Sequence, residues 1–392
     1  MANKHLNRRD FVRLGLAGGG AALASASSAE TIKPAEKSPE PKILYRTLGR
    51  TKLKVSEVCF GSFGFSASDV FNAALDAGIN FVQTCADYEQ GNAERAFGKI
   101  LQKRRKEAVI MSGWTLRRDA TKAQILDQLD RSLERLQVKD VDIMLAHMCG
   151  TVEQVQNPGL HEAFDEAKKA KKVSFLACST HGGEMDKIFD YAMDSGKFDV
   201  ISFKYNFMEG GPLEPAIKKA AEKKLGLVAF KVTAGSREKE LADYEKKGLT
   251  HEKATVRWVL KNSAIASVIR PFSTFEDVKR AVETISKKFG LAEAAMLEWY
   301  EQAFSRSYCR YCGKCDDLCP YGVAISEIMR YAMYFKYYGR ERNSMELYAA
   351  LAPGVRAEPC TGCPGHCEHG CPYGVKVRSQ LVEAHELLTL MA

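Results

Sequence analysis

Short apolar runs alternate with charged, helix-patterned stretches eight times between residues 58 and 270, and that alternation narrows the choice of fold more than any other feature. The runs are VCFGS (58–62), NFVQT (80–84), AVIMS (108–112), VDIMLAH (141–147), SFLACS (174–179), VISFKYN (200–206), LVAFKV (227–232) and ASVIR (266–270). Amphipathic segments such as ATKAQILDQLDRSLERLQV lie between them. Eight βα units over about 250 residues fit an α/β fold, a (β/α)8 TIM barrel, whose active site stands at the C-terminal ends of its strands. The barrel is expected over residues 43–300. Within LVAFKV, alternation with Val228, Phe230 and Val232 outward would turn Leu227, Ala229 and Lys231 to the axis.

The twelve cysteines are unevenly placed. Cys59, Cys85, Cys149 and Cys178 are scattered and read as small buried residues. The other eight fall in two groups, CRYCGKCDDLCP (Cys309, Cys312, Cys315, Cys319) and CTGCPGHCEHGCP (Cys360, Cys363, Cys367, Cys371). The first is the C-x2-C-x2-C-x3-C-P run of bacterial ferredoxins, in which three thiolates hold one [4Fe–4S] cluster and the fourth holds the other. Two copies permit that exchange. Cys309, Cys312, Cys315 and Cys371 would take one cluster, and Cys360, Cys363, Cys367 and Cys319 the second. The second group departs by one residue, with three between Cys363 and Cys367. Structural zinc and disulfides are the competing readings, but zinc ligands typically come as separated Cys pairs rather than a run closed by Pro. Between the groups, ISEIMRYAMYFKYYGRERNSMELYAALAP has apolar residues at helical spacing. A mainly helical, two-cluster ferredoxin-like domain is therefore expected over residues 301–392.

The chain begins with a basic stretch (Lys4, Arg8, Arg9, Arg13), an uncharged run from Leu14 to Ala26, and the small-residue site Ala24-Ser25-Ala26. Asn7-Arg8-Arg9-Asp10-Phe11 resembles a twin-arginine signal, which exports proteins already folded. A signal peptide over 1–29 and a flexible Pro- and charge-rich linker over 30–42 are expected. Clusters are built in the cytoplasm, so folded export to the periplasm suits such a chain and implies the twin-arginine machinery as a partner. Of the net charge of +8, residues 1–29 carry +3, which leaves a modest +5. No basic cluster with interleaved aromatics points to nucleic acid, and no other segment is apolar enough for a membrane span.

Five stretches carry a family resemblance: YRTLGRTKLKVSEVCFGSFG, ALDAGINFVQTCADYEQGNAERAFGKIL, SLERLQVKDVDIMLAHM, FLACSTHG and RWVLKNSAIASVI. In order and spacing they resemble the aldo/keto reductases, specifically those with a ferredoxin tail. That resemblance implies hydride transfer from NADPH to a carbonyl, with a Tyr acid supported by Asp, Lys and His. Tyr88 in VQTCADY matches the acid and His147 in MLAHM the histidine. The Asp position is Gln83 and the Lys position is Gly113, so the ion pair that lowers the phenol's pKa is missing. Ser179 and Asn206 fall where the family contacts its nicotinamide. The last strand, VIRPFSTFEDVKR, lacks the set that grips the 2′-phosphate. Lys231 either supplies a replacement cation near Tyr88 and His147 or carries its charge to solvent at the rim. His181 either joins the site or orients a loop.

These residues imply an exported oxidoreductase. Its barrel would bind a small carbonyl or alcohol while two [4Fe–4S] clusters pass electrons to or from a redox partner protein. Weak or absent NADP(H) binding is expected. The alternatives are a barrel that has lost its chemistry and only presents the clusters to a partner, and an ordinary NADPH-dependent reductase.

Overall fold

The computed structural model describes residues 42–389 apart from 63, 65–66, 182–183 and 235–240. The expected signal peptide, and all but the last residue of the expected linker, lie outside the described residues. The first described element is an antiparallel hairpin, β1 (Tyr45–Thr47) and β2 (Lys54–Ser56). No apolar run announces it, because its two short strands are mostly polar. Eight parallel strands follow and close into a barrel in chain order: β3 (Val58–Gly61), β4 (Phe81–Gln83), β5 (Val109–Thr115), β6 (Ile143–His147), β7 (Phe175–Thr180), β8 (Val200–Lys204), β9 (Gly226–Phe230) and β10 (Ile265–Pro271). The ring is sealed by β10, which pairs with both β9 and β3.

The helices between strands form for local reasons. Thr121 caps α3 (Lys122–Leu136; α1 is Ser68–Asp76 and α2 Asn92–Arg104) through a reciprocal capping box with Gln124. The buried residues Ile125, Leu129, Leu133 and Leu136 recur at helical spacing and meet the sheet. The ring continues with α4 (Pro158–Lys169), α5 (Met185–Asp194), α6 (Gly210–Glu222), α7 (His251–Lys261) and α8 (Phe275–Ile285). Next, α9 (Leu291–Phe304) packs Met296, Leu297 and Tyr300 against Phe207, Met208 and Ala254 of the barrel.

Inside the barrel, polarity changes along the strands. Cys59, Phe81, Met111, Ile143, Ala177, Val200, Val228 and Ala266 fill the lower part with Leu48 and Val55, so the hairpin plugs that end. One inward position higher, the same strands offer Gln83, Gly113, Leu145, Ser179, Ser202 and Phe230. Side-chain alternation thus gives an apolar floor and a polar mouth.

One strand departs from expectation. In β9, Leu227 and Ala229 pack outward among the helices, while Val228 and Phe230 turn to the axis. Every residue of LVAF is apolar, so composition carries no phase. Lys231 reaches the mouth by a different route. The strand ends at Phe230, and Lys231 takes a left-handed φ of 53°. Two consecutive side chains therefore enter one cavity.

Beyond α9 the chain forms a second, helical core. Here α10 (Ile325–Tyr337), α11 (Glu341–Ala349) and α12 (Val377–Thr389) bury Ile328, Ala332, Tyr348, Leu381 and Ala384 between them. Among the described residues no helix is long and apolar enough to cross a membrane.

Candidate active site

The C-terminal ends of the strands face α10 and α11, and a cavity of about 270 Å³ lies between. Tyr88, from the turn after β4, and His147, the last residue of β6, meet there. The Tyr88 hydroxyl is 3.1 Å from His147 Nε2, and His147 Nδ1 is 2.8 Å from Ser179 Oγ at the end of β7. Ser179 Oγ also accepts the Met148 N–H at 3.0 Å. With one lone pair occupied by that amide, the serine hydroxyl is free to donate to Nδ1. The Tyr88 hydroxyl thus hydrogen-bonds the imidazole at Nε2 and stands in the cavity wall. Ser179 is thus a positioning residue for His147 in this structure.

No cation ranks among the strongest influences on the Tyr88 phenol. Burial holds its pKa well above the usual value, Cys85, Tyr334 and Asp87 add to that, and a Gln83 hydrogen bond works the other way. The Gln83 amide also donates to Thr84 O at 3.1 Å. At the lysine position, a Cβ on Gly113 would stand 1.8 Å from the Leu145 carbonyl oxygen of the neighbouring strand. The backbone itself excludes a side chain there. Tyr88 remains protonated at ordinary pH and acts as a hydrogen-bond donor rather than an acidified phenol.

His147 is buried, and that burial lowers its pKa to about 4; Asp87 opposes the shift, and Arg330 and Lys231 reinforce it. His251, behind the barrel wall, is lowered to about 4 for the same first reason. A free histidine titrates near 6.5, so the unfolded chain binds these protons more readily than the folded one. Stability from these groups is therefore complete above pH ~6.5 and lost as pH falls towards 4, each histidine contributing on the order of 3 kcal/mol. Thermal melts between pH 7 and 4.5 are expected to show a falling Tm, with a shallower fall in His147→Asn. An unchanged slope in that variant would mean that His147 titrates in the folded protein as it does in the unfolded chain.

Lys231 is part of the cavity wall. Its Nζ is buried, without a hydrogen-bond partner among the described residues, and lies 5.5 Å from the Tyr311 ring centre and 5.3 Å from that of Tyr334. It acts on His147 and His181 rather than standing out to solvent at the rim. His181 also lines the cavity, its ring 5.6 Å from that of His147 and 4.4 Å from that of Phe230. Asn206 is fully buried beside the cavity rather than in it, and its amide donates to Lys231 O at 3.2 Å and Tyr308 Oη at 3.3 Å. Lys204, at the end of β8, pairs with Glu209 at 2.9 Å and donates to the Arg310 carbonyl. Strand ends that face the nicotinamide in the reductases the sequence resembles are here bound to the segment 308–311. At the end of β10, Arg270 pairs with Glu252; in α8, Arg280 pairs with Asp277, which also caps the helix start. Both arginines are thus committed to carboxylates.

Sequence reasoning missed the tail side of the cavity. Arg330 and Tyr334 of α10 roof it, and the Arg330 guanidinium reaches Met148 Sδ at 3.7 Å. Their spacing with Tyr338, four residues apart each time, was the available signal.

The eight tail cysteines form two neighbourhoods. Burial above all pushes Cys309 up to about 12; Cys312 and Cys371 add to the shift, against the Tyr311 amide and Lys204. Burial likewise pushes Cys360 up to about 11, with Cys319, Cys367 and Cys363 next. Cys315 responds to Cys309 and Cys312 and also to Cys367 of the other set. Main-chain N–H groups point at four sulfurs, each at 3.4 Å: Tyr311 to Cys309, Val323 to Cys319, Gly365 to Cys363 and Val375 to Cys371. Among the described residues no three His, Cys, Asp or Glu side chains converge closely enough to hold one metal ion.

An internal repeat frames these sites. Cys-Pro-Tyr-Gly-Val occurs at 319–323 and 371–375, and Gly322 and Gly374 both have φ of 65°. The acidic residue after the third cysteine of each group accepts an N–H near the start of the following helix: Asp316 from Ser326 at 3.0 Å and Glu368 from Arg378 at 3.2 Å.

A sequence model of the aldo/keto reductase family matches residues 64–290. An uncharacterised oxidoreductase of Bacillus subtilis, YqkF, is 22% identical over 62% of this chain and 91% of its own length. L-galactose dehydrogenase of Arabidopsis thaliana is 26% identical over 63% of this chain and 89% of its own. The solved aldo-keto reductase AKR11C1 of Bacillus halodurans in its holo form superposes with a TM-score of 0.56, at 21% identity, over 66% of this chain and 96% of that one.

Proposed function

We propose, given that this chain belongs to the aldo/keto reductase family, that its barrel interconverts a small carbonyl compound and its alcohol using electrons passed singly through the tail. Oxidoreductase chemistry follows from the family; the source of the electrons is the new element. The observation that carries it is the cavity itself, walled on one side by Tyr88, His147 and Ser179 and on the other by Arg330 and Tyr334 of the tail.

The donor set fits two [4Fe–4S] clusters, one on Cys309, Cys312, Cys315 and Cys371 and the other on Cys360, Cys363, Cys367 and Cys319. In support, Cys309 responds to Cys312 and Cys371, Cys360 responds to Cys319, Cys367 and Cys363, and N–H groups face four of the sulfurs. Four thiolates around a cube of four irons stand farther apart than ligands of a single ion, so loose neighbourhoods suit a cluster better than zinc. Such clusters, when bound, supply single electrons. Reducing the carbonyl takes two electrons, which the clusters would supply one at a time, and two protons. Tyr88 donates one proton to the substrate oxygen and is resupplied through His147, which Ser179 holds, and the second, to the carbon, comes from solvent. Tyr334, Tyr338 and Leu347 wall the cavity on the tail side.

Free NADPH is a poor reductant in this reading, because Gly113 admits no lysine and both Arg270 and Arg280 are paired. Export by the twin-arginine route to the periplasm, with a redox partner protein there, completes the proposal. A purely electron-transferring or docking role is the second reading, favoured by the missing ion pair beside Tyr88. Anaerobic turnover of a panel of small aldehydes and ketones with reduced viologen separates the two. The full chain is expected to reduce at least one of them. Tyr88→Phe is expected to lower kcat about 10²–10⁴-fold, the usual range for lost proton transfer. Turnover driven equally well by NADPH would restore the ordinary reductase, and no turnover with either donor would favour the docking role.

A further inference from the structure

Half of the buried side-chain polar atoms that lack a hydrogen-bond partner among the described residues line this one cavity. They are Lys231 Nζ, both ring nitrogens of His181, Ser202 Oγ and Asn343 Oδ1. Buried polar groups are ordinarily paired, so such a concentration marks where a ligand supplies the partners. Their charge says what kind. Lys231 forms no ion pair among the described residues, and its amine rests between the faces of Tyr311 and Tyr334. Arg330 faces the same space with its charge shared by Glu327. The one carboxylate lining the cavity, Asp87, already accepts the Thr115 N–H at 2.6 Å and the Cys85 thiol at 3.3 Å. The Asp87 charge remains in the wall, and Lys231 is the one cation of the lining without an ion-pair partner among the described residues.

We propose that the cavity takes a substrate bearing a carboxylate, held by Lys231 with Arg330 beside it, while the oxygen to be protonated faces Tyr88. This names the substrate class within the oxidoreductase reading of the same site and rests on that reading. With Asp87 in the same wall and only Lys231 unpaired, a single negative charge suits the cavity better than a phosphate dianion. Phe230, Ile269, Pro271 and Leu347 supply apolar wall for the rest of the molecule. Burial, and after it Arg330 and Lys204, press Lys231 towards its neutral form. An arriving carboxylate is the partner that lets it keep its proton. His181 and Ser202 remain to hold a second polar group of the substrate.

The test is calorimetric and needs no electron donor. The full chain would be titrated with 2-oxohexanoate, its neutral amide, hexan-2-one and inorganic phosphate. The acid is expected to bind about tenfold to a hundredfold more tightly than the amide, as befits a charge-assisted contact. Lys231→Met should erase that preference, so that acid and amide bind alike. An amide that binds as tightly as the acid, a preference that survives Lys231→Met, or phosphate binding more tightly than the acid would each overturn the proposal. The amide comparison needs only the wild-type protein, so a misfolded variant does not obscure the answer. Viologen-driven reduction of hexan-2-one, assayed alongside, reports on the redox reading separately. Its absence with an intact acid preference sinks the reading but not the site.

Discussion

Gly113→Lys is expected to cost the protein its barrel rather than rebuild the family's ion pair. The position is an inward one on β5, and its neighbour on β6 is Leu145. A Cβ there would sit 1.8 Å from the Leu145 carbonyl oxygen and 2.6 Å from its carbonyl carbon. These are backbone atoms of a central strand, which cannot swing aside as a side-chain tip can. Forcing atoms into a packed interior costs typically about 1–3 kcal/mol and occasionally more, and a backbone clash this deep belongs to the upper end. Even Gly113→Ala should lower stability by about 3 kcal/mol, a large share of a typical domain's 5–15. The check is soluble yield and Tm of both variants beside wild type. A well-folded Gly113→Lys protein with NADPH-dependent activity would mean that the strands separate easily and that the family chemistry lies one substitution away.

Cys319→Ser is expected to strip the cluster of the other cysteine group and leave its own group's cluster in place. Cys319 closes the first run in sequence, yet its thiol acts on Cys360 and Cys367 of the second. Cys371 acts on Cys309 in return. With the pairing exchanged, Cys319→Ser removes a ligand from the set completed by Cys360, Cys363 and Cys367. Cys371→Ser does the same to Cys309, Cys312 and Cys315. Each variant should retain about four iron atoms instead of eight. Combining Cys319→Ser with Cys360→Ser should cost no more iron than Cys319→Ser alone, whereas Cys319→Ser with Cys309→Ser should empty both sites. The opposite additivity would mean that each run keeps its own cluster.

The barrel was readable because parallel strands covered by helices must be apolar, and eight such runs at regular spacing admit few arrangements. The place of His147 was readable for a related reason, since a polar residue at a strand C-terminus has one place to go, while Tyr88 was singled out by the family resemblance of VQTCADY. The phase of β9 was not, since Leu227 to Phe230 are all apolar and either face would satisfy them. Lys231 reached the expected place for an unexpected reason, a left-handed residue just past the strand end. The hairpin β1–β2 escaped notice because its contribution is only Leu48 and Val55 at the barrel floor. Least readable was the roof. Arg330, Tyr334 and Tyr338 lie in a stretch whose spacing also suits an internal helix, and only packing reveals which face meets the barrel. The Cys-Pro-Tyr-Gly-Val repeat could have been found by aligning the tail on itself. It would have shown that the two cysteine groups belong to equivalent turns despite their different spacing.

In the proposed function, electrons reach this barrel through iron held by the tail. The most direct measurement is the iron, acid-labile sulfide and zinc content of the full chain purified without oxygen, with its visible spectrum before and after dithionite. About eight iron and eight sulfide per chain are expected, with a broad charge-transfer band that bleaches on reduction. Stoichiometric zinc with no visible band, or eight cysteines paired as disulfides, would contradict it.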